Sequence, residues 1–398
     1  MPHFKTKTLD LPKLPFEISH KEGEFSYLEI YNSSANPSFS LLEVVFTPKN
    51  KTLKKEQFFL EIKKSSEEVI VRFDKNSRIS PIEIIKNALE ILAKEQKTLI
   101  THNLYGKNNI HELKLPFIKH IEDFLDFSKL LATLPLKNPQ IWLEIGFGSG
   151  RNLLNNAKEN PNILHIGLEI HRPSLEQVAR QIGLLDLKNI LILGYDARIF
   201  LELLPSNLLE KIFVHFPIPW DKKPHRRVFS KAFLEQSQRV LKQGGILELR
   251  SDSFEYFCYA KDLENTLENV KITDKKNTKK EIISKYEARW LRQEKDIYDL
   301  EMQNLQISKE QDFDLDFSFK GVKHKTFTKQ KIIKEGYFVN LEDCLIAKDS
   351  KLYKVSFGDF NYPETRYIKQ NQNLEYFREN PLPTMINHSC HKILCALL

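Results

Sequence analysis

The sequence predicts an α/β protein in which a Rossmann-like, doubly wound domain is flanked by smaller β-rich α+β modules. Three observations carry that expectation. Between about His120 and Gln303, the runs IWLEIGF, LHIGLEI, NILILGY, KIFVHF and GILELRS alternate with helical segments. Continuous apolar runs bounded by turns are typical of parallel strands covered on both faces. The first run opens straight into the glycine-rich turn GFGSG, and both flanks carry short β-branched or aromatic segments instead.

The elements follow in chain order. FSYLEIY, SLLEVVF, FFLEIKK and VIVRF, between about Phe25 and Phe73, are separated by Asn, Pro, Ser and Lys clusters and read as antiparallel strands. SPIEIIKNALEILAKEQ then offers Ser80 as a cap, Pro81 in the first turn, and Ile84, Leu89, Ile91 and Leu92 along one helical stripe. A module over residues 1–119 is expected from this start, the doubly wound domain over 120–303, and a second β-rich module over 304–398. In the last, FDLDFSF, YFVNL, CLIAK and LYKVSF read as strands, and the residues from about Tyr362 as irregular.

Bulk properties agree with a folded, multidomain chain. A length of 398 residues exceeds the roughly 150 expected of one domain, and 41% hydrophobic with 28% charged residues leaves ample material for a core. The four cysteines, Cys258, Cys344, Cys390 and Cys395, are too few and too uneven to staple such a chain, which fits a reducing compartment. The start MPHFKTKTLDLPKLPF has no signal-type apolar core, and no run approaches the roughly 18 apolar residues of a membrane span. The expected location is the cytoplasm. HSCHKILC, His388 to Cys395, lacks a recognised zinc spacing, and no metal is assigned to it.

Chemistry concentrates at the ends of the apolar runs. Gly146, Gly148 and Gly150 let the backbone turn tightly and approach a ligand, at the start of a helix whose field favours polar groups. The spacing is G-x-G-x-G rather than the G-x-G-x-x-G of dinucleotide sites, which disfavours a dehydrogenase. Glu144 precedes the first glycine. Glu169 ends the second run, about twenty residues on, where a carboxylate can accept from both hydroxyls of a ribose. Asp196 ends the third, at the lip of the same crevice. Each acid alone also reads as a cap or an exposed strand end.

Taken together, EIGFGSG, GLEIH, GYDA, FPIPWDKKPHRR, LRSD and SKYE resemble, in order, the bacterial tRNA (guanine-N7)-methyltransferase family. The likeness spans about Phe124 to Gln303. It implies a class I methyltransferase fold, S-adenosylmethionine as methyl donor, tRNA as partner, and guanine 46 of the variable loop as target. It implies cofactor-binding roles for Glu144, Gly146, Gly148, Glu169 and Asp196, and substrate-binding roles for Lys222, Asp252, Lys285 and Glu287. SKYE stands for the family's T-K-F-E, with Ser284 and Tyr286 as its departures.

The residue types suit such roles. After FPIPW come Lys222, Lys223, Arg226 and Arg227, able to meet phosphates through charge-assisted bonds, and Trp220, able to stack on a base or anchor the turn. KITDKKNTKKEIISK adds a second basic stretch. A carboxylate at Asp252 can accept from both N1–H and the exocyclic amine of guanine, which adenine cannot match. Guanine N7 carries a lone pair and no proton, so the transfer needs alignment and electrostatic support more than a base.

One position breaks the resemblance. Where the family reads F-P-D-P-W, with an aspartate proposed as catalytic, this chain has Ile218, and no catalytic residue is assigned. Asp221 from the adjacent turn, or Asp252 with desolvation alone, are the remaining sources of support. An amino-directed methyltransferase would want a polar residue where Phe216 stands. A tRNA-binding protein on a methyltransferase scaffold is the reading from another class.

Overall fold

The computed structural model describes all residues except 51–52, 78, 80, 105–116, 279–292, 294, 312–313, 323–324 and 361, together with the side chain of His225. The chain forms two compact units, one from Lys114–Phe313 and one from both ends together, Met1–Leu113 with Asp314–Leu398. The two flanks, expected as two β-rich modules that could pack on one another, are thus a single unit.

The N-terminal segment supplies β1 (His3–Thr6), β2 (Phe16–Ser19), β3 (Gly23–Ser33), β4 (Phe39–Pro48), β5 (Glu56–Lys64), β6 (Val69–Phe73), α1 (Glu83–Lys94) and β7 (Leu99–His102). The four expected strands fall in β3 to β6. Ser80 lies outside the described residues; α1 begins at Glu83, and its stripe buries Ile84, Leu89 and Leu92 with Ile91 partly covered.

The middle unit contains α2 (Phe127–Ala132), β8 (Gln140–Ile145), α3 (Arg151–Glu159), β9 (Ile163–Leu168), α4 (Arg172–Leu184), β10 (Ile190–Leu193), α5 (Ala197–Glu202), β11 (Leu209–His215), α6 (Lys231–Val240), β12 (Leu241–Ser251), α7 (Phe254–Glu264), β13 (Val270–Lys276) and β14 (Tyr298–Asn304). Its sheet runs β10-β9-β8-β11-β12-β14-β13. The first five strands are mutually parallel, and β14 is antiparallel to both its neighbours. This is the doubly wound arrangement, with its switch point between β8 and β11, and ligands of such sheets sit beyond the carboxyl ends there.

Burial explains why these segments read as unbroken apolar runs. All four residues of β10 and five of six in β9 are buried. Leu153, Leu154 and Ala157 of α3 pack with Val178, Ala179 and Ile182 of α4 against Ile190 and Ile192. Each such leucine, isoleucine or valine contributes about 1.5–3 kcal/mol. α6 and α7 start on short polar caps: Ser230 Oγ accepts from Phe233 N, and Ser253 Oγ from Tyr256 N.

The C-terminal segment adds β15 (Gln330–Lys334), β16 (Tyr337–Ile346), β17 (Lys351–Asp359), β18 (Glu364–Gln370), β19 (Leu374–Tyr376) and α8 (Met385–Leu397). Leu345 and Ile346 of β16 pair with Ser33 and Asn32 of β3, and Ser33 Oγ donates to Asp343 at 2.6 Å, so both ends of the chain share one twelve-stranded sheet.

Three expectations for this segment change. YFVNL and CLIAK are one strand, bent by a register shift between Leu341 and Asp343. The described part of FDLDFSF is irregular, because Phe317 and Phe319 turn inward to pack on His391. The tail after Tyr362 is ordered into β18, β19 and α8. HSCHKILC lies on α8, whose His391 ring sits between Tyr376 Oη at 3.0 Å and the Ser318 carbonyl at 3.1 Å, while Cys390 and Leu394 are fully buried. Those side chains serve packing, and no cluster with metal-ligand geometry occurs among the described residues. Nor, among them, is any helix long and apolar enough to cross a membrane.

Candidate active site

Register brings the chemistry to one edge of the middle sheet. Ile145 lies level with Leu168 and Val214, Leu168 with Leu193, and His215 with Arg250. The residues that follow these strands therefore line a common rim.

On the β8 side the backbone turns through three left-handed glycines, Gly146 at φ 71°, Gly148 at φ 51° and Gly150 at φ 70°. They differ in what a side chain would meet. A Cβ on Gly150 would come within 2.5 Å of Val178, so this glycine serves helix packing. Gly146 and Gly148 face open space, with nothing nearer than 4.0 Å. Backbone bared toward a cleft is what a closely approaching ligand needs.

Two acids are tied into that turn. Glu169 Oε2 accepts from Gly148 N and Oε1 from His171 N, both at 2.8 Å, which fixes the carboxylate and the loop to each other. Glu144 is buried, and its Oε2 accepts from Asn152 Nδ2 at 2.8 Å. Burial raises the Glu144 pKa to about 7, against the opposing influence of His215 and the Asn152 bond. His215 itself meets Glu248 Oε1 at 2.7 Å. Asn152 is a residue sequence reasoning missed; its only signal was its place as the second residue of the helix behind the glycines.

Asp196 is engaged differently. It caps α5, accepting from Arg198 N at 2.9 Å, and both its oxygens meet the Arg198 guanidinium at 3.1 Å. Its reading as a helix cap is realised, and only its remaining lone pairs are open to a ligand.

On the β11 side the chain turns sharply. Phe216 (φ 50°) and Trp220 (φ 47°) adopt left-handed conformations without being glycine, a strain of about 1–3 kcal/mol each that clusters at functional sites. Phe216 N donates to the Arg250 carbonyl at 2.7 Å, and the prolines carry Ile218 outward, 64% exposed.

The basic run beyond it splits in two. Lys222, Lys223 and Arg226 are exposed, and Arg226 lies over the Trp220 ring at 5.1 Å. Arg227 is only 4% exposed: its Nε donates to the Pro219 carbonyl at 2.7 Å and its guanidinium lies over Tyr259 at 4.6 Å and Tyr256 at 5.3 Å. Asp221, at 3.6 Å, pairs with this same arginine. Arg227 therefore braces the turn from beneath and does not face a substrate, with Glu255 at 3.4 Å and Asp221 at 3.6 Å as its carboxylate neighbours.

Asp252 follows β12 directly, as expected, with Lys295 Nζ at 3.5 Å. Ser251 is buried and its Oγ accepts from Ser253 N. Lys285 and Glu287 lie outside the described residues.

These residues fit S-adenosylmethionine. The open glycines suit its close approach, Glu169 suits a vicinal diol, and the buried Glu144 suits a cationic group.

A family model described as "Putative methyltransferase" matches residues 138–300. Among curated proteins the chain is similar to the tRNA (guanine-N(7)-)-methyltransferase of Wolinella succinogenes, 44% identical over 99% of both chains. It is also similar to proteins of that name from Helicobacter hepaticus, 37% identical over 100% of this chain and 99% of the relative, and Campylobacter jejuni, 38% identical over 97% and 96%. The likeness runs through both flanks as well as the middle unit.

Proposed function

The chain belongs to the tRNA (guanine-N7)-methyltransferase family, and from that membership we propose that it acts on guanine 46 of the variable loop, in the cytoplasm. The reaction is transfer of a methyl group from S-adenosylmethionine to N7 of a guanine in tRNA. Similarity along nearly the whole chain, at 44% and 37% identity, to relatives of that name is the observation that carries it.

S-adenosylmethionine supplies an electrophilic sulfonium methyl. Around it the chain's own residues divide the work. Glu169, held by the amides of Gly148 and His171, is assigned the ribose hydroxyls. Glu144, steadied by Asn152, offers its carboxylate to the methionyl ammonium, and Gly146 and Gly148 admit the donor against bare backbone. Asp196 is assigned the adenine amino group, through the lone pairs that Arg198 and the α5 amide leave open.

Toward the acceptor, Asp252 is assigned the N1–H and exocyclic amine of guanine, which turns N7 toward the donor and rejects adenine. Lys222 and Arg226, exposed beyond the turn, meet phosphates. Lys285 and Glu287 are assigned to substrate on the SKYE motif. N7 already holds a lone pair, so no proton need be removed, and alignment is the main source of acceleration.

The test is methyl transfer to unmodified tRNA with the modified base mapped. Expected is 7-methylguanine at position 46 alone; product at another guanine sinks the positional assignment. Asp252→Ala should lower kcat/KM about a hundredfold. Normal 7-methylguanine formation by that variant removes Asp252 from base selection.

A further inference from the structure

The unit built from both chain ends has two unlike faces. In β5, Phe58, Leu60 and Ile62 pack on α1; in β17, Tyr353, Val355 and Phe357 pack with Cys390 and Leu394 of α8. Side chains alternate along a strand, so both helices cover one face. Phe59 and Leu352 belong to the other, where a smaller cluster includes Tyr31, Leu41, Leu345 and Tyr367.

That second face holds a groove. β16 pairs with β15 along one half of its edge and with β3 at the other end, and the fork encloses about 510 Å³ lined by Phe39, Lys63, Arg72, Lys329 and Lys354 among others. Its carboxylates are already used. Glu61 meets Arg72 at 2.5 Å, Glu342 meets Lys354 at 3.0 Å, and Asp343 accepts from Ser33. Lys63 and Lys329 are left exposed and without an ion-pair partner among the described residues.

The same face continues along β15. Lys331 is exposed, its Nζ 5.5 Å from the Phe338 ring, and Phe338 stacks on the 52% exposed Phe360 at 5.7 Å. From Lys320 to Lys334 the sequence carries six lysines and no acid. Most of the chain's formal positive excess falls in this unit rather than in the one with the methyl-transfer site.

We propose that this face, with Lys63, Lys329 and Lys331 as its contacts and Phe360 as a stacking platform, is a docking surface for the tRNA backbone, separate from the methyl-transfer site. The inference rests on the reading of tRNA as substrate. Lysines without an acidic partner beside an exposed aromatic ring are the combination that holds a nucleic-acid strand without reading its sequence. A competing reason for lysines on a strand edge is protection against edge-to-edge self-association. Lys334 separates the two. It lies on the same strand, but alternation turns it to the opposite face, so edge protection predicts equal roles and docking does not.

The experiment measures binding of an unmodified tRNA transcript to the full chain over a salt series, with methyl transfer to the same RNA. Combined Lys63→Glu, Lys329→Glu and Lys331→Glu should weaken tRNA binding by about tenfold or more and reduce the salt slope by about 3. KM for tRNA should rise while kcat and S-adenosylmethionine affinity stay unchanged, and Lys334→Glu should do little. The same three positions as glutamine provide a milder set should the charge reversals impair folding. Wild-type affinity and slope in the glutamate set, an equal loss from Lys334→Glu, or self-association with unchanged tRNA affinity each overturns the proposal. Failure of the parent chain to methylate tRNA at guanine N7 instead removes the functional reading beneath it.

Discussion

The two sides of the crevice are built by different means. On the β8 and β9 side, each acid is fixed by hydrogen bonds: Glu169 by two amides, Glu144 by Asn152. On the β11 and β12 side, a strained turn between Phe216 and Trp220 is held by one buried cation, Arg227, and exposes an isoleucine at its tip. On the assignment proposed above, the donor half needs polar groups in defined places because its ligand has a charge and a diol to satisfy. On the same assignment the acceptor half handles a base whose N7 is already nucleophilic, so it needs no proton acceptor and relies on the shape of the turn, with the Asp252 carboxylate to orient the guanine.

The largest expected break is on the donor side. Glu169→Ala frees the Gly148 and His171 amides and removes the proposed ribose acceptor. Charged hydrogen bonds contribute about 1.5–3 kcal/mol each, so S-adenosylmethionine affinity should fall more than a hundredfold by calorimetry. A variant within tenfold of the parent would mean the loop holds its shape without that carboxylate.

Next comes the pair Arg226 and Arg227, adjacent in sequence and opposite in role. Arg227→Ala loses the bond to Pro219, two aromatic contacts and the brace beneath a strained turn, and should cost about 2–4 kcal/mol in urea unfolding. Arg226→Ala should stay within about 0.5 kcal/mol of the parent and instead raise KM for tRNA. Equal destabilisation by both would contradict the division between brace and substrate contact.

A smaller effect comes from Glu144. Burial raises its folded pKa to about 7 from an ordinary 4.5, so between those values the folded chain keeps a proton that the unfolded chain has lost. Stability from this group therefore declines as pH rises through that window. Affinity for a cationic donor moves the other way, because the carboxylate form is the one that attracts it. From pH 6 to 7.5 S-adenosylmethionine should bind about fivefold to tenfold more tightly, and Glu144→Gln should flatten the dependence. A pH-independent parent would show that Glu144 is ionised throughout.

How much of this was legible follows from the same contrast. Strands buried on both faces carry unbroken apolar runs, so the middle sheet and the acids at its strand ends could be read directly. The partners of those acids could not. Asp196 as a cap and Asp196 as a ligand share one residue type, and nothing in KKPHRR distinguishes the exposed Arg226 from the buried Arg227. FDLDFSF alternates as a strand would, yet it alternates because two phenylalanines reach the α8 core from an irregular chain. The union of both flanks rests on pairing between β3 and β16 and on side chains such as Phe59 against Tyr367 and Phe377, partners more than three hundred residues apart, which no local pattern reports.

The smallest effect is expected at Ile218. Restoring a carboxylate with Ile218→Asp puts a negative charge on an exposed turn, near a purine that gains positive charge as the methyl arrives. The sign is favourable, but an exposed side chain acts through a high effective dielectric, where a charge a few ångströms away contributes about 1 kcal/mol or less. Single-turnover transfer should quicken by no more than about fivefold, with tRNA KM nearly unchanged. An increase of a hundredfold would mean that the turn is desolvated in the complex and that a carboxylate there does chemistry this chain forgoes. A decrease would mean that the isoleucine packs on the substrate base, and that the acceptor half owes more to apolar contact than to charge.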